Sequence, residues 1–179
     1  MQSPFATELP TVIVLASGRG ERFLASGGGT HKLQALLSGR PLLQHTLDAV
    51  KASGLPWHLE DAGHPGMGDS IAAAVRATCT AAGWMILPGD LPLVQADTLR
   101  YVATALPGHD VVVPVYQGRR GHPVRFAARF CAALMALAGE RGAAEIARGA
   151  GITELAVTDA GCVTDIDTVQ DLQRAVAAL

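Results

Sequence analysis

The sequence predicts a single α/β domain spanning residues 1–179, a mostly parallel sheet covered on both faces by helices and containing one antiparallel strand. Three observations predict it. Short apolar runs alternate along the chain with stripes of helical period, the order that a parallel sheet with crossover helices produces. Hydrophobic residues make up 49% of the 179 residues and charged ones only 17%, enough for one buried core and too little chain for two sizeable ones. The candidate strands also end in loops rich in glycine and acid, where sheets of this class hold their ligands.

Taken in order, Val12–Leu15 reads as a buried strand that breaks at Ser17-Gly18-Arg19-Gly20. Pro41 opens a helix in the first-turn position that suits it, with Leu43, Thr46, Leu47 and Val50 as its inner stripe and Gly54 as its stop. Trp57–Glu60 is a short strand. A loop from Gly63 to Ser70 then enters a helix with Ile71, Ala74, Val75 and Thr78 inside, stopped at Gly83. Trp84–Leu87 is a strand leading to Pro88-Gly89-Asp90, and a helix follows from about Asp97 to Leu106. Val111–Tyr116 and Pro123–Phe126 read as a hairpin around a turn at 117–121. Two helices near 127–138 and 143–148, a strand near 153–158, and a last helix with Val169, Leu172, Val176 and Leu179 on one side complete the chain.

Gly18 and Gly20 allow positive φ and a close approach of ligand to the main chain. Arg19, Arg22 and Lys32 surround that bend with positive charge, an arrangement suited to polyphosphate, although a plain glycine turn after a strand has the same composition. Gly27-Gly28-Gly29-Thr30-His31-Lys32-Leu33 fails the GxxxxGK[ST] phosphate-loop pattern at both ends. GxGxxG fits Gly18 and Gly20 but meets Phe23, and Glu60 comes too late to be the ribose acid. The net charge of −2 argues against nucleic acid as a partner. Two local basic zones, 17–40 and 111–139, point instead to a small anionic ligand.

Asp90 follows a buried strand directly and would stand at the rim of the sheet as a Mg²⁺ ligand, or make an Asx turn. Asp165 and Asp167 look like a further carboxylate pair, with Asp167 equally placed as a helix cap. Gly66, Gly68 and Ser70 lead into a helix start where free N–H groups attract anions or base edges. Arg119-Arg120-Gly121-His122-Pro123 suits a phosphate or an electron-rich ring. His45, His58 and His109 have no partner at metal-ligand spacing. Cys79, Cys131 and Cys162 form no CxxC pair, so reduced thiols and a cytoplasmic setting are expected. Neither a leader segment nor a membrane span of about 18 apolar residues is visible.

Together these stretches resemble the molybdenum cofactor cytidylyltransferase family, within the MobA-like nucleotidyltransferases. The resemblance rests on Leu15-Ala-Ser-Gly-x-Gly-x-Arg22, Lys32-Leu33, Gly39-Arg-Pro-Leu-Leu43, Gly66-Met-Gly-x-Ser70, Asp90-Leu-Pro-Leu-Val94, Arg120-Gly-His-Pro-Val124, Gly139-Glu-Arg-Gly-Ala143 and Asp165-Ile-Asp-Thr168, in that order. It implies a three-layer Rossmann-like nucleotidyltransferase fold that transfers CMP from CTP to the terminal phosphate of molybdopterin and releases pyrophosphate. Leu15, Ala16, Ser17, Gly18, Gly20 and Arg22 would hold the nucleotide, with Arg19, Lys32 and Asp90 as catalytic groups. Gly66, Gly68 and Ser70 would seat base and ribose, Asp90 and Asp165 would bind Mg²⁺, and Arg120, His122 and Asp167 would face the pterin. Partners would be molybdopterin, a nucleoside triphosphate and a client molybdoenzyme or its chaperone, with neither nucleic acid nor membrane.

The chain departs from the family at three points. Arg22 and Lys32 are ten residues apart, Glu140 stands where the family has Asp, and Ser17 replaces the Ala or Gly that separates the cytidylyl and guanylyl branches. A guanylyl or sugar-phosphate transferase on the same fold, and a non-catalytic cofactor-delivery protein, are the competing readings.

Overall fold

Residues 9–105 and 108–177 are described by the structure, a computed structural model. In chain order the elements are β1 (Thr11–Leu15), α1 (Glu21–Ala25), β2 (Leu36–Leu37), β3 (Arg40–Pro41), α2 (Leu42–Ser53), β4 (Trp57–Glu60), α3 (Met67–Ala77), β5 (Gly83–Pro88), α4 (Ala96–Ala103), β6 (Val111–Tyr116), β7 (Arg119–Arg120), β8 (Val124–Ala127), α5 (Cys131–Met135), α6 (Ala144–Ala150), β9 (Ile152–Ala156) and α7 (Val169–Ala177). Seven strands form one sheet in the order β4-β1-β5-β8-β6-β7, with β9 on the other side of β6. β4, β1 and β5 run parallel, as do β6 and β9; β8 is antiparallel to both of its neighbours. This is the α/β class that the alternation predicts.

Alternation along β1 sorts the core into two layers. Val12 and Val14 meet Leu47 and Val50 of α2 and Leu99 and Val102 of α4. Ile13 turns the other way, to Ile71 and Val75 of α3, Trp84, Phe126 and Leu134. A third cluster, with Phe23, Leu37, Leu42 and Ile166, fastens α1 and α7 beside the end of β1. Among the described residues no helix is long and apolar enough to cross a membrane.

The expected hairpin is different in detail. β6 turns at Gln117 (φ +47°) and Gly118 (φ +78°) and pairs with β7, Val115 opposite Arg120 and Tyr116 opposite Arg119. A two-residue loop with positive φ at both positions matches the twist of the strands it joins. The chain then crosses Gly121-His122-Pro123, and β8 slots between β5 and β6. The break between β7 and β8 has a cause. The carbonyl of Cys162 takes the His122 N–H at 2.8 Å, and a Cβ on Gly121 would lie 2.3 Å from that oxygen.

Smaller corrections follow from packing. α3 ends at Ala77 and is capped by Thr78, whose hydroxyl donates to the Ala74 carbonyl and accepts from the Trp84 indole, while Gly83 begins β5. α4 stops at Ala103, and α7 buries Ala175 where Val176 was expected, leaving Val176 half exposed. Leu106 and Leu179, assigned to the ends of those two helices, lie outside the described residues.

Candidate active site

Register brings the loops together. Leu15 lies opposite Glu60 on one side and Pro88 on the other, so β4, β1 and β5 end at one level. The segments beyond them line a cleft of about 730 Å³. The convergence predicted for the loops at Gly18, Gly66 and Asp90 is therefore present.

The glycine bend is held at its base: the Ala16 N–H and the Ser17 hydroxyl both donate to the Glu60 carbonyl, at 2.8 and 3.1 Å. Ala16 thus spends its N–H on the sheet and does not line the cleft, against the expectation for it. Beyond it the N–H groups of Gly18, Arg19 and Gly20 have no hydrogen-bond partner among the described residues. Only Gly20 takes positive φ, at +65°. The Gly18 carbonyl meets the His31 ring at 2.7 Å, which ties the bend to the segment carrying Lys32. The ten-residue excursion before that lysine packs on the protein, since a Cβ on Gly28 would strike the Phe23 ring at 2.4 Å.

Lys32 is the centre of charge. Its Nζ lies 2.6 Å from Asp90 Oδ2 and 3.0 Å from Asp167 Oδ1, while Arg22 reaches Asp167 Oδ2 at 2.6 Å. Burial, the largest single influence, pulls the ammonium pKa down, but Asp90 and Asp167 together raise it above that of an ordinary lysine. Asp165 stands beside them. Partial desolvation, then the charges of Asp167 and Asp90, push its carboxyl upward.

Asp90 is placed by backbone contacts. Gly89 donates its N–H to Leu15 at 2.9 Å, Thr46 bonds the Gly89 carbonyl at 2.9 Å, and Ile166 donates to the Asp90 carbonyl at 3.0 Å. Asp90 Oδ1 is buried without a hydrogen-bond partner. An orphaned carboxylate oxygen among further carboxylates fits a hard divalent cation, and the Asx-turn alternative for this side chain has no bond to support it. No three His, Cys, Asp or Glu side chains among the described residues are grouped as a ready-made cage. The donor set therefore suits an ion that completes its shell with phosphate and water oxygens, as Mg²⁺ does.

Asp167 is not the cap of α7. Thr168 and Asp171 cap it reciprocally: Asp171 Oδ2 accepts from the Thr168 N–H at 2.8 Å, and Thr168 Oγ1 accepts from the Asp171 N–H at 3.2 Å. That box frees Asp167 to face Lys32, so it stands with the carboxylates at Asp90 in the cleft that Arg120 and His122 also border.

Gly66 and Gly68 are explained by packing. A Cβ on Gly66 would meet the Gly139 backbone at 2.2 Å and one on Gly68 the Arg141 carbonyl at 2.5 Å; Gly68 also gives its N–H to Gly139 and does not line the cleft. The Ser70 hydroxyl, expected to bond a nucleotide, is buried and donates to the Gly66 carbonyl at 3.1 Å. Arg120 is drawn to Glu154 of β9 at 2.7 Å, whereas Arg119 donates to the Val163 carbonyl at 3.2 Å; both border the cleft. His122 borders it too, with Nδ1 unpartnered and burial holding its pKa below that of free imidazole.

Sequence reasoning missed two groups. Asp159 is buried and accepts from the Gln95 N–H, the Thr98 hydroxyl and the Gly161 N–H, fastening the segment before Asp165 to α4. Glu60 ends β4 with its carboxylate between His58 and His64. The strand alternation His58-x-Glu60 was the available signal for that pair.

Comparison with known proteins agrees with this geometry. The MobA-like NTP transferase domain matches residues 49–156. A 2-C-methyl-D-erythritol 4-phosphate cytidylyltransferase of Frankia casuarinae is 30% identical over 122 residues, 65% of this chain; the chain covers 40% of that relative's length. Rv0371c of Mycobacterium tuberculosis, solved with manganese, superposes with TM-score 0.76 at 23% identity, over 96% of this chain and all of that one. Molybdopterin-guanine dinucleotide biosynthesis protein A of Archaeoglobus fulgidus superposes with TM-score 0.68 at 20% identity, over 94% and 97%. With well over half its length matched and the strand ends arranged as described, the chain belongs to the MobA-like NTP transferase family.

Proposed function

We propose that this protein is a Mg²⁺-dependent cytidylyltransferase of the cytoplasm that joins CMP from CTP to the terminal phosphate of molybdopterin. One observation carries the reading: the unpartnered N–H groups of 18–20 and the Lys32–Asp90–Asp167 cluster share one cleft. An acceptor phosphate oxygen attacks the α-phosphorus, the new P–O bond forms, and the bond to the bridging oxygen breaks with its electron pair leaving on pyrophosphate. The attacking monoester is ionised near neutral pH, so the step needs no nucleophile–base pair. The work is alignment and charge compensation. The glycine bend with Arg19 and Arg22 suits the triphosphate. Lys32 supplies an ammonium where the transferring phosphoryl gains charge. A Mg²⁺ held by Asp90 with Asp165 or Asp167 would supply further charge compensation.

The cytidylyl donor and pterin acceptor are supported by the motif resemblance and by Arg119, Arg120 and His122 on the far wall; a client molybdoenzyme or its chaperone would take the product. The Frankia relative favours a second reading, cytidylyl transfer to a sugar phosphate. Pyrophosphate release should be measured with CTP, GTP, ATP and UTP against molybdopterin and against methylerythritol phosphate. CTP with molybdopterin should be the productive pair, and Asp90→Ala should lower its turnover by about 10³-fold or more while the thermal midpoint is retained. Triphosphate binding with no pyrophosphate from any pair would instead mark a delivery protein.

A further inference from the structure

We propose that His64, oriented by Glu60, reads the donor's base and selects one that carries an exocyclic amino group, cytosine over uracil. The proposal rests on the reading of the cleft as a nucleotide site and adds a residue that selects the nucleotide. β1 lies between β4 and β5, so the wall beyond β4 stands two strand spacings, about 10 Å, from the strand that carries Asp90. The base of a nucleotide stands one ribose away from its α-phosphate, so with that phosphate at the Asp90 rim the wall beyond β4 is within the base's reach. His64 lines the cleft there, ahead of Pro65, Gly66 and the half-exposed Met67.

Glu60 fixes the chemistry of that ring. Its Oε1 lies 3.1 Å from His64 Nε2 and accepts the Ala62 N–H at 3.2 Å; its Oε2 lies 3.5 Å from His58 Nε2. The residue is 6% exposed and its carbonyl anchors Ala16 and Ser17, so the carboxylate cannot drift. A carboxylate only accepts, which places the hydrogen of a neutral imidazole on Nε2 and leaves Nδ1 as a lone-pair acceptor. Nδ1 has no other partner among the described residues and is not a buried atom. An acceptor there takes the 4-amino group of cytosine and opposes the 4-oxo group of uracil. Glu60 is the positioning residue, acting through the tautomer.

Calorimetric binding of CTP and UTP with Mg²⁺ at pH 8 tests this on the wild type, His64→Ala and Glu60→Gln, each checked by thermal melting. The wild type should prefer CTP by about 10-fold or more, the scale of one matched against one opposed hydrogen bond. His64→Ala should bring the two affinities within about 3-fold. Glu60→Gln, whose amide accommodates either tautomer, should also narrow the preference with His64 intact. A purely packing role for His64 would move both affinities together. An unchanged CTP-to-UTP ratio in His64→Ala overturns the proposal and leaves the nucleotide site standing, whereas no triphosphate binding to the wild type overturns the site as well. If His64→Ala melts early, His64→Asn replaces it under the same two criteria.

Discussion

Lys32 occupies the place that a cation at Asp90 would need. Its ammonium sits 2.6 Å from Asp90 Oδ2, and the Lys32 side chain is only 13% exposed. Two like unit charges about 4 Å apart repel by roughly 4 kcal/mol at an effective dielectric near 20, and a divalent ion doubles this. Metal and ammonium therefore compete for the carboxylate unless a polyanion draws the lysine away. Nucleotide and metal should then strengthen each other's binding, and equally in either order of addition. Lys32→Met removes the competitor and the proposed phosphate contact together. With Mn²⁺ as a paramagnetic probe and no nucleotide, the variant should bind the ion about 10-fold more tightly than the wild type, while its CTP affinity falls. Mn²⁺ binding that is equal or weaker in Lys32→Met would mean that the lysine does not hold the metal position.

At the scale of elements, the site depends on how the segment after β9 is held. The Asp159 carboxylate takes three donors, from Gln95 at 2.9 Å, Thr98 at 2.8 Å and Gly161 at 2.8 Å, and a Cβ on Gly161 would lie 2.0 Å from the Leu93 carbonyl. Asp159→Ala leaves those buried donors unmet and should cost about 3 kcal/mol in denaturant unfolding, with a loss of turnover because Asp165 and Asp167 hang from this segment. A stability change under 1 kcal/mol would show that water replaces the carboxylate at little cost. The strands and helices were largely legible in the sequence because their signals are local. Short strand-like runs gave β4 and β6 to the residue, the latter as an unbroken apolar stretch, and Gly54, in the left-handed conformation, closes α2 as its position predicts. What stayed hidden is set by distant partners. β8 pairs with β5 some forty residues back, and the Cys162 carbonyl that breaks β7 from β8 belongs to a segment forty residues ahead. The site followed the same division. Asp90 and the glycine bend could be read from strand ends. The uses of Gly68, Ser70 and Arg120 could not, because their contacts are with Gly139, the helix's own backbone and Glu154.

The whole molecule converges on His122. The β7–β8 break, the end of β5 and the segment at Cys162 all meet there, and the His122 N–H bonds the Cys162 carbonyl. Burial depresses the imidazole pKa below 6.5, so the folded protein keeps the ring neutral where the unfolded chain would protonate it. The sign follows from proton counting. Above about pH 6.5 neither state binds the proton and His122 adds no pH dependence; below it the unfolded chain binds more, so stability is lost as pH falls toward the folded pKa. Asp48, held low by Gln44 and then Arg40, and Asp171, held low by Thr168, add losses of the same sign at still lower pH; Asp165, shifted upward, works against them. The contribution of His122 is separable from those of Asp48 and Asp171 because it begins at the ordinary imidazole range, well above carboxyl groups held low, and His122→Gln leaves the Asp165 contribution in both proteins. His122→Gln, which cannot titrate, should melt below the wild type at pH 7.5, and the gap should close as pH falls to 5.5. Thermal midpoints of the two proteins at half-unit steps check this. A gap that stays constant over that range would mean that the imidazole titrates alike in the folded and unfolded chain, and a gap that widens as pH falls would mean that it is protonated inside the fold, which would put a second positive charge next to Asp90 and change the charge balance of the cleft.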